Sequence, residues 1–489
     1  MLLIIIVLVV APLLYYKYVN KLKGLPPGPT PLPLIGNVIT ASTEKPDDLM
    51  LKLSKEYGDI FTLWLPEPTV VITGHEILHE ALNKTGEALA HRPAQFLMTQ
   101  IYSGQYGLFF NDNLFYKSQR RFAVHTMAHL GVGKPEITNL VEDMAVKLCR
   151  DLEGTGGVSI ELRPYLINTV GNVIHKIIFG SLNMEKDEEI EWFQQKNLQV
   201  FEDFLEPKML LLDSFPFIAK FDKLLDYGLE RNLKANEEIS AFLYKKIEVH
   251  KRHLNYDQEP TNYVDAFLLE MHKRAEGSLT DEFNEHQLAM SIFDLYSAGM
   301  ETIVITLRCC VLFLLNYPQV KQKLFEEIDT KIGRTQTPVI GEQHKLPYVQ
   351  AFIQEVYRIC YVIELGIFRE TNTETKIGDF SLPAGTRVIP QFAAAHMDEK
   401  LFPEPNKCIP ERHLKDGAFV KDERINPFSL GRRNCLGENL ARQEVFVFFV
   451  SLLQKFDFFP TGETIPEVNI ITKAFRSPAP YTVRVVSRA

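Results

Sequence analysis

Apolar residues recur every three to four positions through long stretches in the middle of the chain, roughly 135 to 330. Glu136 to Glu153, Tyr227 to His253 and Glu285 to Leu315 carry this pattern, which turns one face of an α-helix toward a core. Asn316-Tyr317-Pro318 ends the third stretch and begins another helix, because proline is tolerated in a first turn. Strand-like patterning is confined to the flanks: Asp59 to Leu65 and Thr69 to Thr73 around Pro66-Glu67-Pro68, Thr375 to Pro390 with a turn at Pro383-Ala384-Gly385, and Tyr481 to Val486. His75 to Asn83 reads as a short helix. The pattern predicts a mainly α protein with small peripheral β-sheets.

The N-terminus breaks this rhythm. Met1 to Leu14 is almost wholly apolar, Tyr15, Tyr16 and Tyr18 follow, and then come Lys17, Lys21 and Lys23. With the lysines snorkelling, residues 1–20 are long enough for an uncleaved membrane anchor that leaves the rest of the chain on the cytoplasmic side. The rival, a cleaved signal peptide, lacks a basic leading region and a small-x-small cleavage site. Residues 21–37 form a basic and proline-rich hinge, from Leu25-Pro26-Pro27-Gly28-Pro29-Thr30-Pro31 to Pro33 and beyond, a stiff and extended composition. Residues 38–489 contain no Gly/Ser linker or internal repeat, so they are taken as a single large domain despite their length. Phe204 to Phe221 is either a buried helix end and turn or a second apolar contact with the bilayer.

Composition narrows the function classes. A formal charge of −9 argues against nucleic acid as a partner, although it allows a local basic patch. The six cysteines show no paired C-x-x-C spacing, which argues against a zinc site or disulfide framework and fits reduced, cytosol-facing thiols.

One of those cysteines carries candidate chemistry. Phe428-Ser429-Leu430-Gly431-Arg432-Arg433-Asn434-Cys435-Leu436-Gly437 places it in a glycine-rich turn directly before an apolar helical stretch. A helix N-terminus and nearby arginine both favour the thiolate. Gly431 and Gly437 let the backbone pass close to something flat. Phe428 can cover one side of the sulfur, and Arg433 can reach an anionic group. A lone cysteine is ordinarily core filler, but filler does not require the F-x-x-G-x-R-x-C-x-G spacing. The decamer resembles the signature of the cytochrome P-450 (haem-thiolate) family, in its microsomal, membrane-anchored type. The resemblance implies haem b (iron protoporphyrin IX) with the Cys435 thiolate as axial ligand and only iron as metal, an arrangement that favours O–O cleavage.

Other segments match the same family. Ser297-Ala298-Gly299-Met300-Glu301-Thr302 lies in the apolar stretch, with Ala298 and Thr302 on one helix face. Small residues there admit a macrocycle and dioxygen, while Thr302 can donate a hydrogen bond and Glu301 can bring protons from solvent. The segment resembles the family's A/G-G-x-E/D-T pattern, with Ile303 where a second hydroxyl residue is usual. Glu355 and Arg358, with Arg412 of Pro410-Glu411-Arg412-His413, resemble the E-x-x-R and P-E-R-F framework, which implies a structural triad. His413 and Cys408 stand where aromatics are common. Tyr116-Lys117-Ser118-Gln119-Arg120 resembles W-x-x-x-R, so Arg120 and Tyr116, together with Arg369 and Arg433, are implied partners of the haem propionates. Lys117, Arg121, Arg432 and Arg442 cluster near these motifs and offer an acidic reductase a basic surface. The segment Ile359 to Phe368 departs most: Glu364 and Phe368 replace the usual loop prolines, and Glu364 is either a solvated carboxylate or one near the pocket.

The resemblance therefore implies a monooxygenase on the cytoplasmic face of the endoplasmic reticulum membrane. It would take NADPH-derived electrons from a cytochrome reductase, with cytochrome b5 as a further donor, and hydroxylate or epoxidise an apolar small molecule. Two alternatives stay open: a reductase-independent haem-thiolate isomerase or dehydratase, and a non-catalytic haem-binding protein. Substrate identity is a property of pocket shape that scattered segments such as Ser103 to Asn111 do not spell out.

Overall fold

The computed structural model describes residues 24–32, 35–65, 67–112, 115–180, 187–204, 207–276, 282–334, 338, 340–363, 366–462, 464–472 and 475–488. The fold is mainly α with small sheets, a single large domain built from two compact units. The anchor segment 1–20 and Glu364 lie outside the described residues.

The larger unit, Ala94–Ile363, Glu404–Phe428 and Cys435–Ala489, is helical. Its main helices are α1 (Tyr116–His129), α2 (Pro135–Glu153), α3 (Arg163–Phe179), α4 (Leu229–His253), α5 (Glu285–Asn316), α6 (Pro347–Ile359) and α7 (Glu438–Lys455). Helix α5 is apolar nearly all round and packs against α3, α4, α6 and α7, as a central core helix must. The Asn284 side chain caps it by accepting from the Gln287 N–H at 2.8 Å. Helix α5 is long and apolar enough to cross a bilayer, but 78% of its most apolar window is buried within the protein. The periodicity placed α2 and α5 within a residue of their observed ends. Helix α4 begins two residues later than expected, because the Asp222 carboxylate caps the amides of Leu229 and Glu230 at 3.3 and 2.8 Å.

Of the apolar run after Phe204, Met209 and Leu212 are fully buried, which is the helix-end reading. Beyond them the polypeptide turns outward. Phe217 (64%), Phe221 (51%), Leu224 (80%) and Leu225 (55%) are exposed within nine residues.

The smaller unit, Met1–Pro93, Glu364–Pro403 and Ser429–Asn434, is built on a four-stranded sheet. Strands β1 (Ile60–Leu65) and β2 (Glu67–Ile72) form an antiparallel pair, β2 pairs in parallel with β4 (Arg387–Pro390), and β4 pairs antiparallel with β3 (Arg369–Glu370). Val70, Ile72 and Val388 pack on one face with Leu78 and Leu82. Phe61, Leu63, Val71 and Ile389 pack on the other with Leu49 and Leu53. The strand-like patterning expected over Thr375 to Pro390, broken by a turn at Pro383-Ala384-Gly385, is a hairpin, Thr375–Ile377 and Phe380–Leu382, followed after that turn by β4. The proline run docks on β1: Thr62 donates its N–H to the Pro27 carbonyl and its hydroxyl to that of Pro26, both at 2.8 Å.

Candidate active site

In the larger unit the cysteine stands at the entrance to α7. Its N–H donates to the Phe428 carbonyl at 2.8 Å, which closes the turn between the first and eighth positions of the motif. The Phe428 ring is held edge-on to Tyr357 (5.4 Å between centroids) and under the Arg442 guanidinium (4.6 Å). Burial pushes the Cys435 thiol up, against the Gly437 N–H and the charges of Arg120 and Arg442, which pull it down. The expected thiolate-favouring groups are thus present, but desolvation outweighs them until something positive binds the sulfur.

Cys435 is nevertheless exposed. Its sulfur is thus accessible, although the protein packed around it disfavours a bare charge there. Helix α5 gives the same sign: Ala298 is exposed while Ser297, Met300 and Ile303 around it are buried. A core helix with one uncovered alanine, and an accessible cysteine sulfur, fit a flat apolar group with a metal at its centre. Thr302, one turn on from Ala298, donates its hydroxyl to the Ala298 carbonyl at 2.7 Å. Glu301 pairs with Arg163, the first residue of α3, at 2.8 Å.

Tyr116 and Arg120 share one face of α1. Tyr116 is buried and Arg120 is half-buried, near enough to Cys435 to act on its charge. In the smaller unit Arg433 and Arg369 are both buried, 6% and 3% exposed. Their described bonds go to neutral acceptors. Arg433 Nε donates to the Ala90 carbonyl at 2.7 Å, and Arg369 Nη2 to Ser429 Oγ and the Arg433 carbonyl at 3.4 Å each. Gly431 holds this turn together, since a Cβ there would lie 2.0 Å from the Leu82 carbonyl oxygen and its φ is +75°.

The framework is larger than the three residues expected. Glu355 accepts from Arg358 Nε and Nη2 (2.9 and 2.8 Å) and from Arg412 Nε (3.3 Å). It also bonds His413 Nε2 at 2.9 Å. Glu355, Arg358 and His413 are all fully buried. Burial alone would raise the Glu355 carboxyl, but the bonds from Arg358 and His413 hold it down at about 2. His413, read in the sequence only as a departure, is a fourth member.

Two further residues escaped the sequence reading. Asp294 on α5 accepts the Tyr102 hydroxyl and the Leu108 N–H at 2.5 Å each and the Phe109 N–H at 2.9 Å. Gln287, two turns earlier, bonds both the N–H and the carbonyl of Gly107 at 3.1 Å. Together they pin the 102–111 segment to the central helix, and a Cβ at Gly107 would meet Asp294 Oδ2 at 2.4 Å. Asp294 and Arg308 are charges in an apolar helical pattern, a signal that could have marked Asp294. Nothing in the sequence pairs Arg163 with Glu301.

A family model described as Cytochrome P450 matches residues 26–485. The chain is 44% identical to a protein named probable cytochrome P450 CYP36A1 from Caenorhabditis elegans, covering 99% of both. It is 36% identical to human cytochrome P450 2A6, covering 89% of this chain and 88% of that protein. It is 34% identical to cytochrome P450 2J1 of Oryctolagus cuniculus, covering 97% and 94%.

Proposed function

The chain belongs to the cytochrome P450 family, and from that premise we propose that it is an NADPH-dependent monooxygenase with Cys435 as the haem ligand. The family's haem supplies dioxygen activation when bound; the residues of this chain set where it sits and how protons arrive. The observation that carries the reading is the pairing of an accessible but desolvated Cys435 with an uncovered Ala298 on the central helix. Phe428 and the Gly437 N–H shield and orient the sulfur. Arg120, Tyr116, Arg369 and Arg433 hold the propionates. Glu301 and Thr302 move protons toward dioxygen, and the overall chemistry balances as one dioxygen, two electrons, two protons and one substrate giving oxygenated product and water.

The substrate is an apolar small molecule. Asp294, the buried carboxylate that would attract a cation, already accepts three hydrogen bonds from the 102–111 segment. Residues 1–20 anchor the protein in the endoplasmic reticulum membrane, and the Phe217, Phe221, Leu224 and Leu225 patch touches the same bilayer. A cytochrome reductase, with cytochrome b5 as a further donor, delivers the electrons.

Two measurements test this. The ferrous–CO complex is expected to show the red-shifted thiolate band and Cys435→Ser to lose it; survival of the band in the variant would end the ligand assignment. Reconstitution with reductase and NADPH is expected to give oxygenated product from an apolar panel. Turnover of a peroxide substrate without reductase, and none with it, would favour an isomerase or dehydratase instead.

A further inference from the structure

The helix Asp187–Phe204 lies against α5 and α4. Phe193, Asn197 and Val200 recur along it at helical spacing, and all three are buried. Phe193 packs on the Tyr296 ring of α5 with centroids 4.9 Å apart. The Val200 carbonyl accepts from Asn232 Nδ2 of α4 at 2.8 Å. Asn197 thus interrupts an apolar stripe, where a leucine would complete the packing with no polar group to satisfy.

The Asn197 amide is half used. Ser297 Oγ donates its one hydrogen to the Phe293 carbonyl at 2.5 Å, so toward Asn197 it can only accept. Asn197 Nδ2 is the donor that meets it, at 2.7 Å. Ser297 therefore fixes which prong of the amide faces α5, and Oδ1 is the other. That oxygen is buried and has no hydrogen-bond partner among the described residues, with only 5% of Asn197 exposed. A buried acceptor left unmet costs stability, yet here a serine holds it in place. Ser297 directly precedes Ala298, the uncovered residue of α5.

We propose that Asn197 Oδ1 is a specificity contact that accepts a hydrogen bond from a hydroxyl on the substrate, so that the enzyme takes apolar molecules already bearing an alcohol group. This rests on the monooxygenase reading and narrows its substrate class. The contact is directional. An alcohol has a hydrogen to donate, whereas its methyl ether keeps the oxygen and lacks the hydrogen. Because Ser297 keeps the amide from turning over, the ether meets no donor. A fixed acceptor rejects such a ligand, since binding it seals Oδ1 away from any partner.

The test uses the full-length holoenzyme and two matched sets of probes: cyclododecanol, its methyl ether and cyclododecane, and adamantanol, its methyl ether and adamantane. Dissociation constants are read from the haem spin-state shift, or by equilibrium dialysis where no shift occurs. Asn197→Leu, Ser297→Ala and Asn232→Leu are first checked for an intact ferrous–CO band and thermal midpoint. Wild type is expected to bind each alcohol about tenfold more tightly than its ether. Asn197→Leu is expected to abolish that ratio while leaving the alkane constants within about twofold of wild type. Ser297→Ala frees the amide to turn, so ether binding is expected to tighten by about threefold, which a purely structural asparagine would not produce. Asn232 Oδ1 is also buried with no partner among the described residues, but its Nδ2 is held by Val200 rather than by α5. Asn232→Leu is expected to keep the wild-type ratio.

An alcohol-to-ether ratio near one in wild type, or one that survives in Asn197→Leu, would overturn the proposal and leave Oδ1 to an ordered water. Failure of wild type to bind either alcohol would overturn it too. Equal loss of the ratio in Asn232→Leu would overturn the assignment to Asn197. Wild-type protein that makes no reductase-dependent product would overturn the monooxygenase reading, while the ratio, measured at equilibrium without turnover, still reports on the Asn197 contact.

Discussion

Replacing Glu355 by glutamine keeps the side chain's shape and removes its charge. In the wild type one carboxylate, fully buried, bonds two arginines and a histidine, and the Ile409 N–H donates to it at 3.2 Å. The drop of its pKa from 4.5 to about 2 corresponds to about 3 kcal/mol of stabilisation at neutral pH. The sign comes from the direction: a depressed carboxyl stabilises above 4.5, and the contribution is lost as pH falls toward 2. The larger loss in Glu355→Gln comes from Arg358, which has 0% exposure and would keep its charge while losing this carboxylate. Breaking a buried pair from one side costs about 3–5 kcal/mol. Urea unfolding at pH 7, followed by circular dichroism and haem absorbance together, should show a loss in that range. Glu355→Met/Arg358→Met, which removes both charges, should recover much of it. His413→Phe, restoring the aromatic usual in the family, should cost about 1–2 kcal/mol, because one donor to the carboxylate disappears. A Glu355→Gln protein within about 0.5 kcal/mol of wild type would refute the view that this network carries the α6 framework.

Further outcomes rest on single contacts. Burial, against the bonds from Tyr102, Leu108 and Phe109, raises the Asp294 carboxyl from 3.8 to about 6. Its contribution is therefore full below pH 3.8 and declines as pH rises through 6, by about 3 kcal/mol in all. Thermal midpoints between pH 4.5 and 7 should carry that slope in wild type and lack it in Asp294→Asn. Gly431→Ala puts a methyl 2.0 Å from the Leu82 carbonyl at a φ of +75°; a loss of 2 kcal/mol or more, roughly, is expected in the same urea assay. Changing Phe217, Phe221, Leu224 and Leu225 together to serine should abolish residual binding to phospholipid vesicles in a protein lacking residues 1–23, with the ferrous–CO band unchanged. Equal binding by the two truncated proteins would remove the bilayer contact.

Sequence by itself determined what depends on neighbours along the chain. Helical periodicity and Pro318 placed the long helices because a core helix must repeat its apolar face. The decamer ending at Gly437 was legible because a close backbone turn around a cysteine tolerates few residue types. Ala298 and Thr302 could be put on one face by counting. Tertiary structure decided what depends on residues far apart. His413 meets Glu355 across 58 positions, Arg163 meets Glu301 across 138, and Asp294 meets Tyr102 across 192. None of these pairs shares a helix turn or a strand register, so no local period links them. Folding brings them together through packing of whole elements, and the cost of leaving a buried charge alone then selects the partner. The sequence thus carried the cysteine and the chemistry it allows. Only the fold showed that its supporting carboxylates are each already engaged, Glu355 by cations, Asp294 by a loop and Glu301 by an arginine.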